Sequence, residues 1–176
     1  MRAQAESPHA ALARKTVEFY IRSGSMPGNM GPLPDELARE KAGVFVSIKK
    51  HGELRGCIGT ISPSTANIGE EICANAISAA TQDPRFSAIE EDELPYLEYS
   101  VDVLAPAELV KNIDELDPGR YGVIVSLGRK RGLLLPDLDG IEDAESQINI
   151  AMKKAGIAAT DRPHIRLERF EVIRYK

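Results

Sequence analysis

The sequence predicts an α+β fold: a largely antiparallel sheet flanked by helices, with a smaller second lobe. Two observations predict it. Strand-like runs come in adjacent pairs, 44–48 with 53–61 and 121–127 with 132–135, each pair split by a short polar turn. Stretches of helical period separate these pairs, an order that suits hairpins packed on helices better than a doubly wound parallel sheet. The 176 residues are read as a single domain, 1–176, long enough to bury about 70% of the surface its unfolded form exposes. The Pro/Gly-rich stretch 25–34 and the loop 83–96 are where the lobes would divide.

Ser7-Pro8 is a helix start, a capping hydroxyl followed by proline at the first helical position. Leu12, Thr16, Phe19 and Tyr20, with Ala13, Val17 and Ile21, place one apolar stripe on that helix, and Gly24 ends it. Residues 25–34 read as an extended loop and 35–41 as a short helix. Val44-Phe45-Val46-Ser47-Ile48 is a β-branched and aromatic run, and Lys49-Lys50-His51-Gly52 turns it into a second strand over 53–61. Period then predicts a helix over 65–81 with Ile68, Ile72, Ala76 and Ala79 inward, stopped by Asp83-Pro84. Residues 97–104 alternate, with Leu97, Tyr99, Val101 and Val103 on one face and Glu98, Ser100 and Asp102 on the other. Strands 121–127 and 132–135 flank the polar tip Gly128-Arg129-Lys130-Arg131, and a helix over 142–155 ends at Gly156 with Ile148, Ala151, Met152 and Ala155 inward. The last strand, 165–175, changes apolar phase between Leu167 and Phe170, which predicts a bulge or a two-sided environment. No internal repeat is visible.

Lys and Arg number 22 against 27 Asp and Glu, a net charge of -5, which argues against general binding to nucleic acid or anionic lipid. Arg129-Lys130-Arg131 and Lys153-Lys154 are the basic clusters and read as solvated surface. No stretch approaches the roughly 20 apolar residues that span a membrane, and nothing resembling an export signal precedes the first helix. A cytoplasmic protein with reduced thiols is therefore expected. Two cysteines and three histidines occur at no zinc-like spacing, so no metal and no cofactor are expected. The phosphate-binding loop, dinucleotide fingerprint, nucleophile elbow and zinc-protease motifs are all absent.

Leu54-Arg55-Gly56-Cys57-Ile58-Gly59-Thr60 is the segment richest in chemistry. On a regular strand Arg55 and Cys57 point one way and Leu54, Ile58 and Thr60 the other. A guanidinium two residues from a thiol favours thiolate. Gly56 and Gly59 leave room for a ligand or a second backbone. These residues fit a nucleophilic Cys57, an anion-binding surface, or a cysteine held for packing. Cys73, inside the helix over 65–81, reads as a packing residue. In Asp83-Pro84-Arg85-Phe86, Arg85 is either an anion clamp or a helix-terminus contact. His9, His51 and His164 carry no pairing signal with Cys57, and Glu98 and Asp102, on one strand face at i and i+4, fit a site or equally a solvated polar face.

The heptapeptide resembles the hallmark of the AMMECR family at every position. The resemblance continues through Asp83-Pro84-Arg85-Phe86, Tyr99-Ser100-Val101-Asp102-Val103-Leu104, Tyr121-Gly122-Val123-Ile124-Val125, Gly132-Leu133-Leu134-Leu135-Pro136 and Lys154-Ala155-Gly156-Ile157. It covers roughly residues 8–175 and is strongest to the prokaryotic branch called protein A of the AmmeMemoRadiSam system. It implies an α/β fold of a larger and a smaller lobe, with the heptapeptide lining or supporting the cleft between them. It also implies two partners, a Memo-like protein related to extradiol dioxygenases and a radical SAM protein, but no particular reaction. Carried onto this chain, it points to Cys57 as the catalytic candidate and to Arg55, Gly56, Gly59, Thr60 and Arg85 as candidates for holding a small anionic ligand. A non-catalytic binding or scaffold module for the two partners is the alternative, and a nucleic-acid-associated protein is a further one. Many relatives carry Trp after the segment matching Gly132 to Pro136; this chain has none.

Overall fold

The computed structural model describes residues 5–28 and 31–176; residues 1–4, at the head of the N-terminal segment, and Asn29 and Met30, within the expected loop 25–34, lie outside the described residues. The chain forms two compact units, Met1–Val103 with Ile173–Lys176 and Leu104–Val172. Both divisions fall in or beside strands, so the chain passes from one unit to the other in extended conformation. The segments 25–34 and 83–96 both lie within the first unit.

In the first unit, α1 (Pro8–Ser23) starts as its sequence dictates: the Ser7 side chain accepts from the Ala10 N–H, and Gly24 closes the helix in the left-handed conformation at φ 70. A short α2 (Asp35–Arg39) follows. Strands β1 (Val44–Lys50) and β2 (Glu53–Gly59) form an antiparallel hairpin turned at His51-Gly52, both with positive φ. Helix α3 (Ile68–Thr81) begins three residues later than its period suggests, because Asn67 caps it by accepting from the Glu70 N–H. A 3-10 turn, Glu91–Tyr96, leads into β3 (Leu97–Leu104), which pairs antiparallel with β1. The sheet order is β2-β1-β3-β8, with β8 at Val172–Tyr175. Val44, Val46, Ile48, Val101 and Tyr99 pack with α1 and α3 in one buried cluster.

The second unit has its own sheet, order β4-β7-β5-β6, built from β4 (Glu108–Leu109), β5 (Gly122–Leu127), β6 (Lys130–Leu134) and β7 (Arg166–Phe170). Helix α4 (Ala144–Ala155), capped by Asp143 and by Gly156 at φ 66, packs on β5 and β6. Val123, Val125, Leu134, Ile148, Ala151 and Met152 form its core. The 3-10 turns Ile113–Glu115 and Ala159–His164 complete it. All the pairings of β1 with β2 and β3, and of β7 and β5 with their neighbours, are antiparallel.

Three sequence expectations change. The final strand 165–175 is two strands, β7 and β8, in different sheets; the phase change lies within β7 and reflects the expected two-sided environment, Leu167 joining the α4 core while Phe170 is buried on the opposite face beside Gly122. Asp102 is not solvated: it is 3% exposed and its carboxylate takes a two-pronged contact from Arg174, Nε at 2.7 Å and Nη2 at 2.9 Å. Glu98 is exposed as expected.

The third change is a structural repeat. Each unit runs hairpin, helix, strand, and the order β2-β1-β3 in one sheet matches β6-β5-β7 in the other. The devices repeat as well. A Cβ on Gly56 would strike the Ala79 carbonyl of α3, and one on Gly132 would strike the Ala151 carbonyl of α4. The Asn75 amide on α3 donates to the Val44 carbonyl at 3.0 Å, and the Gln147 amide on α4 donates to the Tyr121 carbonyl at 2.8 Å. With the structure as guide, Val44-Phe45-Val46-Ser47-Ile48 aligns with Tyr121-Gly122-Val123-Ile124-Val125, and Arg55-Gly56 with Arg131-Gly132. The hairpin loops differ in length, which hides the repeat from the linear sequence.

Candidate functional site

The heptapeptide forms β2, the edge strand of the first sheet, and continues one residue past it. Its register slips between Ile48 and Lys49: Gly56 lies opposite Ile48 but Leu54 lies opposite Lys49, so Arg55 is the extra residue of a bulge. The bulge breaks the regular alternation expected for Arg55 and Cys57, and their polar ends engage different partners.

Arg55 reaches the 3-10 turn ahead of β3. Its Nε and Nη2 donate to the two Glu93 carboxylate oxygens at 3.0 and 2.9 Å, Nη1 donates to the Ser87 carbonyl at 2.8 Å, and Nη2 also meets the Ala88 carbonyl at 3.3 Å. The pair is largely covered, at 15% and 14% side-chain exposure. Lys50 adds a bond to Glu93 at 2.9 Å. Donation from Arg55 holds the Glu93 carboxyl at about 2, against burial that pushes it up.

Cys57 is half-buried and free. Its backbone N–H, on the open side of the edge strand, donates to the Asp83 carboxylate at 2.9 Å. Asp83 is itself gripped by Arg85, through Nε at 3.0 Å and Nη2 at 2.7 Å, which together with that N–H holds its carboxyl well below the usual range. The Cys57 thiol accepts a weak bond from the Ser47 hydroxyl at 3.2 Å on the neighbouring strand. Burial pushes the thiol up, and the Ser47 bond and the Arg85 charge only partly oppose it. The thiolate expected from Arg55 is therefore not favoured, and the guanidinium that bears on the sulfur is that of Arg85.

Thr60 turns inward. Its hydroxyl donates to Glu71 at 2.6 Å and receives the Asn75 amide at 3.3 Å. Glu71, 1% exposed, takes four further bonds from the backbone and hydroxyl groups of Ser64 and Thr65. Burial alone would raise its pKa; the donated bonds outweigh it and hold the carboxyl at about 2. Gly59 lies opposite Phe45, and any Cβ there would enter the phenyl ring. Each glycine of the motif thus admits protein atoms.

Arg85 remains the most accessible of the named residues, with 55% of its side chain exposed and its guanidinium over the Phe86 ring at 5.4 Å. It lines an open depression of about 590 Å³ in which Lys50, Arg55 and Arg85 face Glu90, Asp92 and Glu93. The charges balance. The imidazoles lie elsewhere: His9 is buried and stacked on Tyr175 at 3.6 Å, with burial pushing its pKa down; His51 occupies the hairpin turn; His164 belongs to the second unit. Cys73 packs against the first core and accepts from Thr16 at 3.3 Å. Among the described residues, no group of three or more His, Cys, Asp or Glu is placed to hold a metal ion, and no helix is long and apolar enough to cross a membrane.

Sequence reading passed over Glu71 and Glu93 and took Asp83 only as a helix stop. Acids near helix starts are ordinary, so nothing local marked these carboxylates as the partners of the motif.

The AMMECR1 family model matches residues 10–175. A Thermotoga maritima protein is 47% identical over 172 residues, covering 97% of this chain and 98% of its own length. A Clostridium acetobutylicum protein is 46% identical over 177 residues, but that match takes in 98% of this chain and only 36% of the relative. Among solved structures, an uncharacterized protein from Pyrococcus horikoshii superposes with a TM-score of 0.86 at 31% identity, covering 94% of this chain and 88% of that one. With the heptapeptide, the α+β architecture and a match running nearly end to end, this chain belongs to the AMMECR1 family.

Proposed function

We propose that this chain is a non-catalytic binding module of the AmmeMemoRadiSam system, serving a Memo-like protein and a radical SAM protein. The observation that carries the non-catalytic part is the saturation of the motif from within. Arg55 is spent on Glu93 and two carbonyls, Thr60 on Glu71, and the Cys57 N–H on Asp83, while burial keeps the thiol protonated. A nucleophile needs the opposite, an exposed sulfur with a lowered pKa. The partner part rests on the motif resemblance. A second reading, a small anionic ligand on Arg85 beside Cys57, rests on the exposure of that one guanidinium.

The test mixes the chain with the Memo-like and radical SAM proteins of the same genome and follows complex formation by size exclusion with light scattering. Wild type and Cys57→Ser should form the complex equally, and Cys57 should alkylate at neutral pH no faster than a free cysteine peptide. Loss of complex and of pathway activity in Cys57→Ser, with a fast-reacting thiol, would establish covalent chemistry instead. Absence of any complex would remove the partner assignment.

A further inference from the structure

We propose that the second unit carries a binding site for a phosphate monoester, formed by Arg131, Ser126 and Arg166 on one row of its sheet. Ser126 of β5 lies directly opposite Arg131 of β6 on one side and Arg166 of β7 on the other. Paired residues project to the same face, so two guanidinium groups flank one hydroxyl. This face is the one away from α4, since the α4 core takes Val123, Val125 and Leu167 from the alternate positions. The row borders an open depression of about 420 Å³ that His164 also lines, and Glu168 is the one acidic residue lining it.

Like charges across neighbouring strands repel unless a counter-charge lies between them. Here Glu168 serves both arginines and serves neither closely, at 3.4 Å from Arg166 and 3.9 Å from Arg131. Arg166 and Arg131 keep 63% and 41% of their side chains exposed. Among the described residues the Ser126 hydroxyl has no hydrogen-bond partner.

The structural repeat adds an independent argument. Arg131 occupies the position of Arg55, ahead of the glycine on which the unit's helix rests. Arg55 makes two bonds to a carboxylate and two to carbonyls; Arg131 has no such clamp and leaves its fork for a ligand. A tetrahedral dianion suits this arrangement. Its oxygens can receive two guanidinium forks and a hydroxyl together, whereas a carboxylate has only two oxygens to share. The depression is larger than a phosphate group alone, which leaves room for the esterified part.

The experiment titrates the full chain with inorganic phosphate and with phenyl phosphate by calorimetry at constant ionic strength. Saturable binding of both is expected, with phenyl phosphate tighter. Arg131→Ala and Arg166→Ala should each weaken binding about tenfold, the scale of a lost charge-assisted contact. Glu168→Gln removes the competing carboxylate and should tighten binding several-fold, a gain that damage to the fold cannot mimic. Thermal melts without phosphate identify any variant that fails to fold. No saturable binding at millimolar phosphate or phenyl phosphate overturns the proposal, as does unchanged or weaker binding in Glu168→Gln. Binding of a single-stranded oligonucleotide that neither phosphate nor phenyl phosphate displaces would also overturn it, in favour of a nucleic-acid surface.

Discussion

Arg55 and Glu93 are joined by two parallel hydrogen bonds, 3.0 and 2.9 Å long, that tie the bulge of an edge strand to the turn entering β3. Thirty-eight residues of chain separate them, and α3 lies between. This contact therefore closes the hairpin–helix–strand pattern of the first unit, and the arginine of the family motif is explained as a clamp.

Arg55→Ala should cost roughly 2–4 kcal/mol in urea denaturation, because it leaves Glu93 in a mostly covered site with only Lys50 and the Glu90 N–H as partners. Arg55→Lys should recover only part, since an ammonium cannot span both carboxylate oxygens and two carbonyls. An Arg55→Ala protein as stable as wild type would show that the clamp is not structural.

Glu71 predicts a specific acid response. Its folded-state carboxyl stays ionised down to about 2, below an ordinary value of 4.5. A lowered acid pKa contributes stability in full above the unfolded value and loses it as pH falls towards the folded one. Wild type should thus lose on the order of 3 kcal/mol from this group between about pH 4.5 and 2. Glu71→Gln, which cannot carry the charge, should be destabilised at neutral pH and should flatten that part of the stability profile. A variant whose acid profile overlays that of wild type would assign the acid loss to other groups.

Phe45 and Gly59 form an interlocked cross-strand pair. Gly59→Ala places a methyl where the phenyl ring sits and should destabilise by about 1–3 kcal/mol. Phe45→Ala vacates that space, so the double variant should cost less than the sum of the two single changes. Strict additivity in chemical denaturation would mean that Gly59 answers to something other than the ring.

The local elements were legible because their signals are local. Ser7-Pro8 and Gly24 bound α1 as read, Gly156 ends α4, and the alternation over Leu97–Leu104 is a strand with those ends. The heptapeptide was legible as a site of importance. Its roles were not, because a side chain's partner depends on long-range placement. Arg55 looked like a ligand residue while Glu93 was unseen, and Thr60 while Glu71 was unseen. The phase change near Leu167 was visible, but only the tertiary structure separates a bulge from a strand buried on both faces, and only it splits the run between two sheets.

By itself the sequence determined the α+β class, most helix ends and the family, since caps, periods and a seven-residue motif act over a few residues. The tertiary structure decided what the motif's polar atoms meet, because carboxylates 11 to 38 residues away complete them. It also decided which arginine of a repeated pattern stays open. Arg55 and Arg131 follow the same local logic, and only the arrival of Glu93 at one of them and not the other divides a structural clamp from an exposed charge.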